Sequence, residues 1–324
     1  MRPATMRKWA KYLPPVLGVL VLAGVVIGLH GVLKKIGIAD VLAALAATPR
    51  HEILHAVLLL CISLCIMSLY DLPGIIFARR EQAFPRLGLR RIGLASFCAY
   101  ALSHLLGAPA LTAAAIRLRL YAQWGVPPAG IGRIMALSGT NFAIGFCAVM
   151  GLLLLIHPYA VPVFGHAAPG TLRLAGALLT GIAATYVLAA RGRDSVTLLG
   201  RKIALPGEGL ALAQILLAGT DMSISAAIFY TVLPDAPALS YLHVLSIYLA
   251  GFASGLVSGL PAGVGVFDSV LLLGLSAYLP PATALGAILL FRVMYFIAPA
   301  CLAGLCYAGH ELWVHAHAPG GAEK

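Results

Sequence analysis

The chain has 324 residues, of which 61% are hydrophobic and 10% charged, and its mean hydropathy is +0.96. Soluble domains are roughly 45–50% apolar and 25% charged, so this composition excludes a soluble globular protein and indicates a polytopic membrane protein. The net charge of +11 is better explained by basic loops beside anionic lipid than by nucleic-acid binding. The longest polar stretch, residues 77–91, is too short for a soluble module, so we treat residues 1–324 as one integral membrane domain.

The first predicted elements are an uncleaved transmembrane helix and a span that returns to the cytoplasm. Residues 13–33 form an apolar run that exceeds the hydrophobic region of a signal peptide and is long enough to cross a bilayer. Residues 34–50 alternate apolar and polar side chains, as expected for a segment in the outer interface. Residues 52–72 return inward. The predicted loop that follows is the most basic of the chain, with Arg79, Arg80, Arg86, Arg90 and Arg91.

A break then interrupts the next apolar segment. Residues 92–106 enter the membrane and end at Gly107 and Pro109. The segment that follows, residues 110–124, carries two arginines and is too charged to continue outward. This pattern predicts a re-entrant hairpin that opens to the cytoplasm.

Three full spans, a second hairpin and a last span complete the predicted topology. The second hairpin enters at residues 241–258, breaks at 259–265 and returns at 266–278, and residues 282–308 form the last span. Most Lys and Arg residues then lie on the cytoplasmic side, which satisfies the positive-inside rule and predicts cytoplasmic termini in a bacterial inner membrane. The three full spans between the hairpins are 134–156, 172–190 and 210–233.

The two Gly/Pro-rich breaks are duplicates of each other. Gly107-Ala108-Pro109-Ala110 is followed by Pro127-Pro128-Ala129, and Gly259-Leu260-Pro261-Ala262 is followed by Pro280-Pro281-Ala282, about 152 residues later. Because three spans separate the hairpins, the copies have opposite orientations. Duplicated broken helices in an inverted repeat are typical of transporter binding sites. The predicted fold is therefore all-α, with about six full transmembrane helices and two re-entrant hairpins, and repeat cores at about 92–156 and 241–309.

Five charged residues lie at or near the predicted bilayer depth: Arg117, Arg119, Asp221, Asp268 and Arg292. A charge at the bilayer centre costs at least about 2.5–3.5 kcal/mol and is usually paired or functional. Two interpretations follow. Arg292 can form an ion pair with Asp221 or Asp268 that only stabilises the bundle, or the charges can form a polar path for a charged group.

The hairpin tips favour an anionic group. A helix that starts after Pro109 or Pro261 directs its free N–H groups toward the break. Arg117 and Arg292 can bind a phosphate through two parallel hydrogen bonds. The acids Asp221 and Asp268 can contact a cationic headgroup or carry protons. Four tip glycines allow a ligand to approach the backbone closely: Gly107, Gly259, Gly263 and Gly265.

No catalytic, metal or cofactor site is predicted. The six cysteines form no Cys-x-x-Cys pair, and the ten histidines form no His-Glu-x-x-His pattern. No Gly-x-x-x-x-Gly-Lys-Ser/Thr motif for ATP binding occurs. An enzyme acting on lipid headgroups is therefore the least favoured function class.

Several motifs agree with a known family in order and spacing. They are Tyr70-Asp71, residues 95–104, Gly107, residues 115–121, residues 255–258, residues 261–268, Phe291-Arg292 and Tyr295. Over roughly residues 13–305, the chain resembles the N-terminal membrane domain of lysylphosphatidylglycerol synthase/flippase proteins. It resembles a stand-alone member without the synthase domain, a group that includes hopanoid-associated relatives.

The resemblance implies that the chain moves a polar-headgroup lipid and does not transfer lysine. It assigns the substrate site to Asp71, Arg117, Arg119, Asp268 and Arg292, with Tyr295 beside Arg292 and a weaker match at Asp221. The chain departs from the family where Asp268 replaces the usual glutamate and Ala262 a usual glycine, which leaves the headgroup preference open.

The leading hypothesis from the sequence is an inner-membrane lipid flippase. The alternative is a non-transporting subunit that binds lipid and scaffolds a separate lipid-modifying enzyme. The expected partners are a membrane phospholipid or another polar-headgroup lipid, and not nucleic acid. A separate lipid-synthesising enzyme and a homodimer are also compatible with the sequence.

Overall fold

A computed structural model describes most of the chain between residues 38 and 317. The first predicted span, residues 13–33, and the predicted tip residues Gly107, Gly259 and Pro261 lie outside the described residues. The described residues are 38–106, 109–158, 167–193, 195–198, 201–258, 263 and 265–317.

The described residues are nearly all helical. A short antiparallel pair of strands, β1 (Ser195–Leu198) and β2 (Arg201–Ala204), is the exception. A π-helical segment, Val293–Ile297, connects the last two helices. The helices are α1 (Ile38–Ala47), α2 (Arg50–Met67), α3 (Leu72–Glu81), α4 (Leu89–Leu106), α5 (Pro109–Gln123), α6 (Pro128–Ile156), α7 (Pro169–Ala190), α8 (Glu208–Val232), α9 (Tyr241–Ser258), α10 (Val266–Leu275), α11 (Pro281–Arg292) and α12 (Ala298–Ala316).

The predicted class, an all-α polytopic membrane protein, is confirmed. Six helical segments among the described residues are long and apolar enough to cross a membrane. Tyr241–Ser258, which we predicted as one arm of a hairpin, is among them. The six segments are Arg50–Glu81, Pro128–Ile156, Pro169–Ala190, Glu208–Val232, Tyr241–Ser258 and Pro281–Val314.

The second predicted span ends differently from the expectation. The chain bends between α2 and α3, where Pro73 lies in the first turn of α3 and cannot donate a backbone hydrogen bond to a continuous helix. Helix α3 then continues to Glu81, so Arg79 and Arg80 lie on a helix rather than in the predicted loop. The bend places Asp71 at the N-terminus of α3.

Helices α4 and α5 pack as antiparallel arms, as predicted for the first hairpin. Near the open end, the Arg91 guanidinium lies 5.8 Å from the ring of Trp124. Nearer the break, the Arg117 guanidinium lies 4.8 Å from the ring of Tyr100. The break itself follows Leu106, and α5 begins at Pro109, whose fixed φ suits the first turn of a helix.

Helices α9 and α10 are likewise antiparallel. Gly255 faces Gly263 near the break, and Gly274 faces Ile247 at the other end. A Cβ atom on Gly274 would lie 2.7 Å from Ile247, so this close approach requires glycine. The two helix pairs contact each other near their breaks, where the His104 ring lies 5.5 Å from the ring of Phe252.

Candidate functional site

The first buried charge cluster surrounds Asp71, whose side chain is fully buried. The guanidinium of Arg117 binds it in a bidentate manner, with Nε 2.9 Å from Oδ2 and Nη2 2.8 Å from Oδ1. Tyr121 and Ser138 donate two further hydrogen bonds, at 2.9 and 2.8 Å. The carboxylate is therefore ion-paired and surrounded by donors, as a buried charge requires.

Three elements bring this cluster together. The α2–α3 bend supplies Asp71, the returning arm α5 supplies Arg117 and Tyr121, and α6 supplies Ser138. The network continues through Asn141, which donates to the backbone oxygen of Tyr70 at 3.1 Å. The resemblance assigned both Asp71 and Arg117 to the site, and the structure joins them directly.

The second charge cluster joins α10 to α11 through Asp268 and Arg292. The Arg292 Nη2 atom lies 2.9 Å from Oδ2 of Asp268, and its Nε atom donates to Oδ1. The Arg292 side chain is 2% exposed and that of Asp268 is 18% exposed. The guanidinium also lies 5.4 Å from the ring of Phe267 and 5.6 Å from the ring of Phe296. Of the two partners the sequence left open for Arg292, the structure selects Asp268.

The tip glycines of the second hairpin adopt a special backbone conformation. Gly263 has φ of +60° and Gly265 has φ of +90°, a region that side-chain-bearing residues rarely occupy. The backbone N–H of Gly265 donates to Asp268 Oδ2 at 2.9 Å, which caps α10. The conformation at the break therefore helps to position the acid that binds Arg292.

Asp221 lies apart from both ion pairs. Its Oδ2 atom accepts a hydrogen bond from Tyr70 at 2.8 Å, and Oδ1 accepts one from Ser63 at 2.5 Å. Tyr295 is close by, with its hydroxyl 2.6 Å from Oγ of Ser225. Within the part of the chain that the structure describes, no cationic side chain contacts Asp221. Ser63 was not predicted as a partner, because a single serine in an apolar helix more often only joins neighbouring helices.

Arg119 belongs to a third cluster, although it is only two residues from Arg117. It binds Glu311 on α12, with Nε 3.0 Å from Oε1, and the two side chains are 8% and 10% exposed. Gln123 donates to the same Oε1 atom at 3.0 Å. Glu311 was missed because the predicted last span stops at residue 308. The amphipathic continuation of the apolar run was the signal that could have found it.

In the described ranges, no three His, Cys, Asp or Glu side chains come close enough together to hold a metal ion. What the arrangement offers is two guanidinium groups, each held by one carboxylate and covered by aromatic rings. Guanidinium groups in such settings bind carboxylates and phosphates with the same planar geometry. Exchange of one oxyanion for another is therefore the chemistry that the clusters can perform.

The fold and these clusters define a multi-pass membrane protein with buried charge pairs inside its helix bundle. The chain is 30% identical over 277 residues to the inner membrane protein YbhN of Escherichia coli K12, a match that covers 85% of each chain. It is 28% identical over 313 residues to an uncharacterized Synechocystis protein, slr0712, with 95% of each chain covered. The chain belongs to the family of YbhN and is a multi-pass protein of the bacterial inner membrane.

A third relative matches over a short segment. The chain is 39% identical over 66 residues to a phosphatidylglycerol lysyltransferase of Staphylococcus haemolyticus. This match covers 20% of the chain and 8% of that protein. No family model matches the chain. The similarity to the lysyltransferase is thus confined to a short part of both chains.

Proposed function

We propose that the protein moves a polar-headgroup lipid between the leaflets of the inner membrane, through a cavity between the two broken-helix hairpins. The observation that carries this proposal is that two Arg–carboxylate ion pairs lie inside the helix bundle, and that one residue of each pair is on the returning arm of a hairpin. Arg117 of α5 binds Asp71, and Asp268 of α10 binds Arg292. The headgroup would pass these groups while the acyl chains stay in the surrounding lipid.

The positions of the buried polar residues support an inverted repeat around this path. Asp71 and Asp221 are 150 residues apart, and Arg117 and Asp268 are 151 residues apart. All four are buried or nearly so, and α5 and α10 occupy the same place in their hairpins. Transporters built from inverted repeats place their substrate sites where the broken helices of the two halves meet.

The two ion pairs differ in accessibility, which suggests where a headgroup first binds. Asp71 is fully buried, whereas the Asp268 side chain is 18% exposed. An incoming phosphate has the same bidentate geometry as the carboxylate and can replace Asp268 on Arg292. The displaced Asp268 would then be free to contact a cationic part of the headgroup. The partial similarity to a phosphatidylglycerol lysyltransferase supports a lipid with such a headgroup.

The proposal is tested by reconstitution in liposomes that contain fluorescent lipids differing only in headgroup. Asp268→Asn removes the charge on the accessible partner of Arg292 and should abolish leaflet exchange, while the protein still inserts. Glu81→Gln is the matched control, because Glu81 forms a half-exposed ion pair with Arg133 on the same molecule. Full exchange by Asp268→Asn, at equal amounts of folded protein, would refute this site.

A second candidate function is favoured by the completeness of the ion pairs. Asp71 and Arg117 satisfy each other, and a fully satisfied buried pair can serve only to fix the helices. In this case the protein would be a lipid-binding subunit that scaffolds a separate lipid-synthesising enzyme, alone or as a homodimer. Co-purification of such an enzyme, with no exchange above that of empty liposomes, would favour this function. Neither proposal assigns the chain a catalytic reaction.

A further inference from the structure

Asp221 differs from Asp71 and Asp268 in what its carboxylate binds. Asp71 and Asp268 each bind an arginine, whereas the partners that the described residues give Asp221 are the hydroxyl groups of Ser63 and Tyr70. Asp221 is 5% exposed and lies near the middle of α8, a membrane-spanning helix. A carboxylate in such a place is neutralised either by a cation or by a proton, and the described residues supply no cation.

The hydroxyl partners of Asp221 come from a distant part of the chain. Asp221 lies on α8, which precedes the second hairpin, whereas Ser63 lies on α2 and Tyr70 three residues after α2, ahead of the first hairpin. Hydrogen bonds to an ionised carboxylate are roughly twice as strong as those to a neutral group. The charge state of this side chain therefore contributes to how firmly α2 is held to α8.

We propose that Asp221 is a proton-binding site between the two halves of the protein, and that loading and unloading of its proton couples lipid movement to the proton gradient. The coupling rests on the function proposed above, whereas proton binding itself does not. The proton adds to a carboxylate oxygen, which then donates a hydrogen bond instead of accepting one, so the hydroxyl group bonded to it must become an acceptor or leave. In the ionised state both hydroxyls donate again and the two helices close together.

Packing contacts connect the surroundings of Asp221 to the segment that carries Arg292. Ser225 lies one helical turn from Asp221 and 2.6 Å from the hydroxyl of Tyr295. The Tyr295 ring stacks on Phe291, with centroids 5.2 Å apart, and Phe291 is the neighbour of Arg292 in the chain. The surroundings of the proposed proton site and of the proposed headgroup site are thus linked through Tyr295 and Phe291.

The other titratable groups described around Asp221 do not supply the positive charge that would neutralise its carboxylate. Tyr70, Tyr248 and Tyr295 are close enough to interact with it electrostatically, and all three are neutral phenols near pH 7. Helices α6 and α7 contribute Asn141 and Tyr186, which are both bonded to Gln214 of α8. Among the charged groups of the adjoining elements, Asp71 pairs with Arg117, and Asp268 pairs with Arg292. Arg119 of α5 pairs with Glu311, and at the far end of α3 Glu81 pairs with Arg133 while Arg80 donates to the backbone oxygen of Pro206.

Proton binding is tested without transport by infrared spectroscopy of the purified protein in lipid nanodiscs. A pH titration should show the C=O stretching band of a buried carboxylic acid, and Asp221→Asn should remove it. Asp268→Asn is the matched control and should leave the band in place. Tyr70→Phe keeps the acid and removes one donor to its ionised form, so the midpoint of the band should move to higher pH. A band that persists in folded Asp221→Asn would overturn the proposal.

Coupling is tested in liposomes with a pH difference of one unit across the membrane. One proton per lipid would sustain up to about a tenfold leaflet asymmetry of the labelled lipid, because one pH unit corresponds to a tenfold ratio. Asp221→Asn should abolish this asymmetry, and Asp221→Glu, which keeps the acid, should retain it. Symmetric exchange by the wild-type protein would leave the proposed function standing and overturn the coupling. Absence of any exchange would overturn both, and dependence on Na⁺ instead of pH would overturn the proton assignment.

Discussion

Asp71→Asn tests whether the most buried ion pair holds the first hairpin against the bend between α2 and α3. The substitution preserves the shape of the side chain but removes its charge. One of its two oxygen acceptors becomes an NH₂ donor that faces other donors. Arg117 would be left as a buried cation, together with hydroxyl groups of Tyr121 and Ser138 that lack their full acceptor.

The expected loss follows from the burial of both partners. Removing one partner of a buried ion pair typically costs about 3–5 kcal/mol, because the other charge remains desolvated. We expect Asp71→Asn to fall in this range, since the Asp71 side chain is 0% and the Arg117 side chain 5% exposed. Adding Arg117→Met should recover a large part of the loss, because a neutral, similarly long side chain needs no counter-charge.

The assay is equilibrium unfolding in mixed micelles with an increasing fraction of denaturing detergent. Glu81→Gln is the control, because its ion pair with Arg133 is half-exposed and should contribute only about 0–1 kcal/mol. If Asp71→Asn lowers the free energy of unfolding no more than Glu81→Gln does, the pair is not a structural element of the first hairpin. The same result would follow from water reaching Asp71, which contradicts its burial.

Two further predictions concern contacts of the helix bundle. Glu311→Gln should lower the free energy of unfolding by about 1.5–3 kcal/mol, because it weakens charge-assisted bonds to Arg119 but keeps one acceptor oxygen; an unchanged unfolding curve would contradict this. Gly274→Ala should cost about 1–3 kcal/mol, because its Cβ would lie 2.7 Å from Ile247. Gly309→Ala is the control for glycine in a helix and should be neutral or stabilising, since nothing lies within 4 Å.

The fold was predictable to the extent that apolar length and Gly/Pro breaks determine it. Long apolar runs predicted five of the six described spans, and Gly107 and Pro109 marked the end of α4 and the start of α5. The bend before α3 was not predicted, because Pro73 lies within a run that continues as helix on both sides. A proline both allows a first helical turn and interrupts a continuous helix, and only packing decides between these roles.

The residues of the candidate site were predictable from the sequence, but most of the pairings between them were not. Buried charges are conspicuous in an apolar sequence, so Asp268 and Arg292 were found, and one of two open pairings was correct. The pairing of Arg119 with Glu311 was not found, because 192 residues separate them and nothing local relates one to the other. The hydroxyl partners of Asp221 were not predicted either, since a single serine such as Ser63 does not interrupt the apolar run around it.

The π-helical segment Val293–Ile297 sets the rotational phase between two distant charge contacts. An α-helix advances about 100° per residue, so one additional residue in a widened turn rotates everything that follows by about that angle. Arg292 lies before the segment and faces Asp268, whereas Glu311 lies after it and faces Arg119. A regular helix through this region could satisfy one of these contacts but would turn the other away from its partner. The widened turn thus adds a fixed rotation within one long helical segment, so that Arg292 contacts the second hairpin and Glu311 contacts the first.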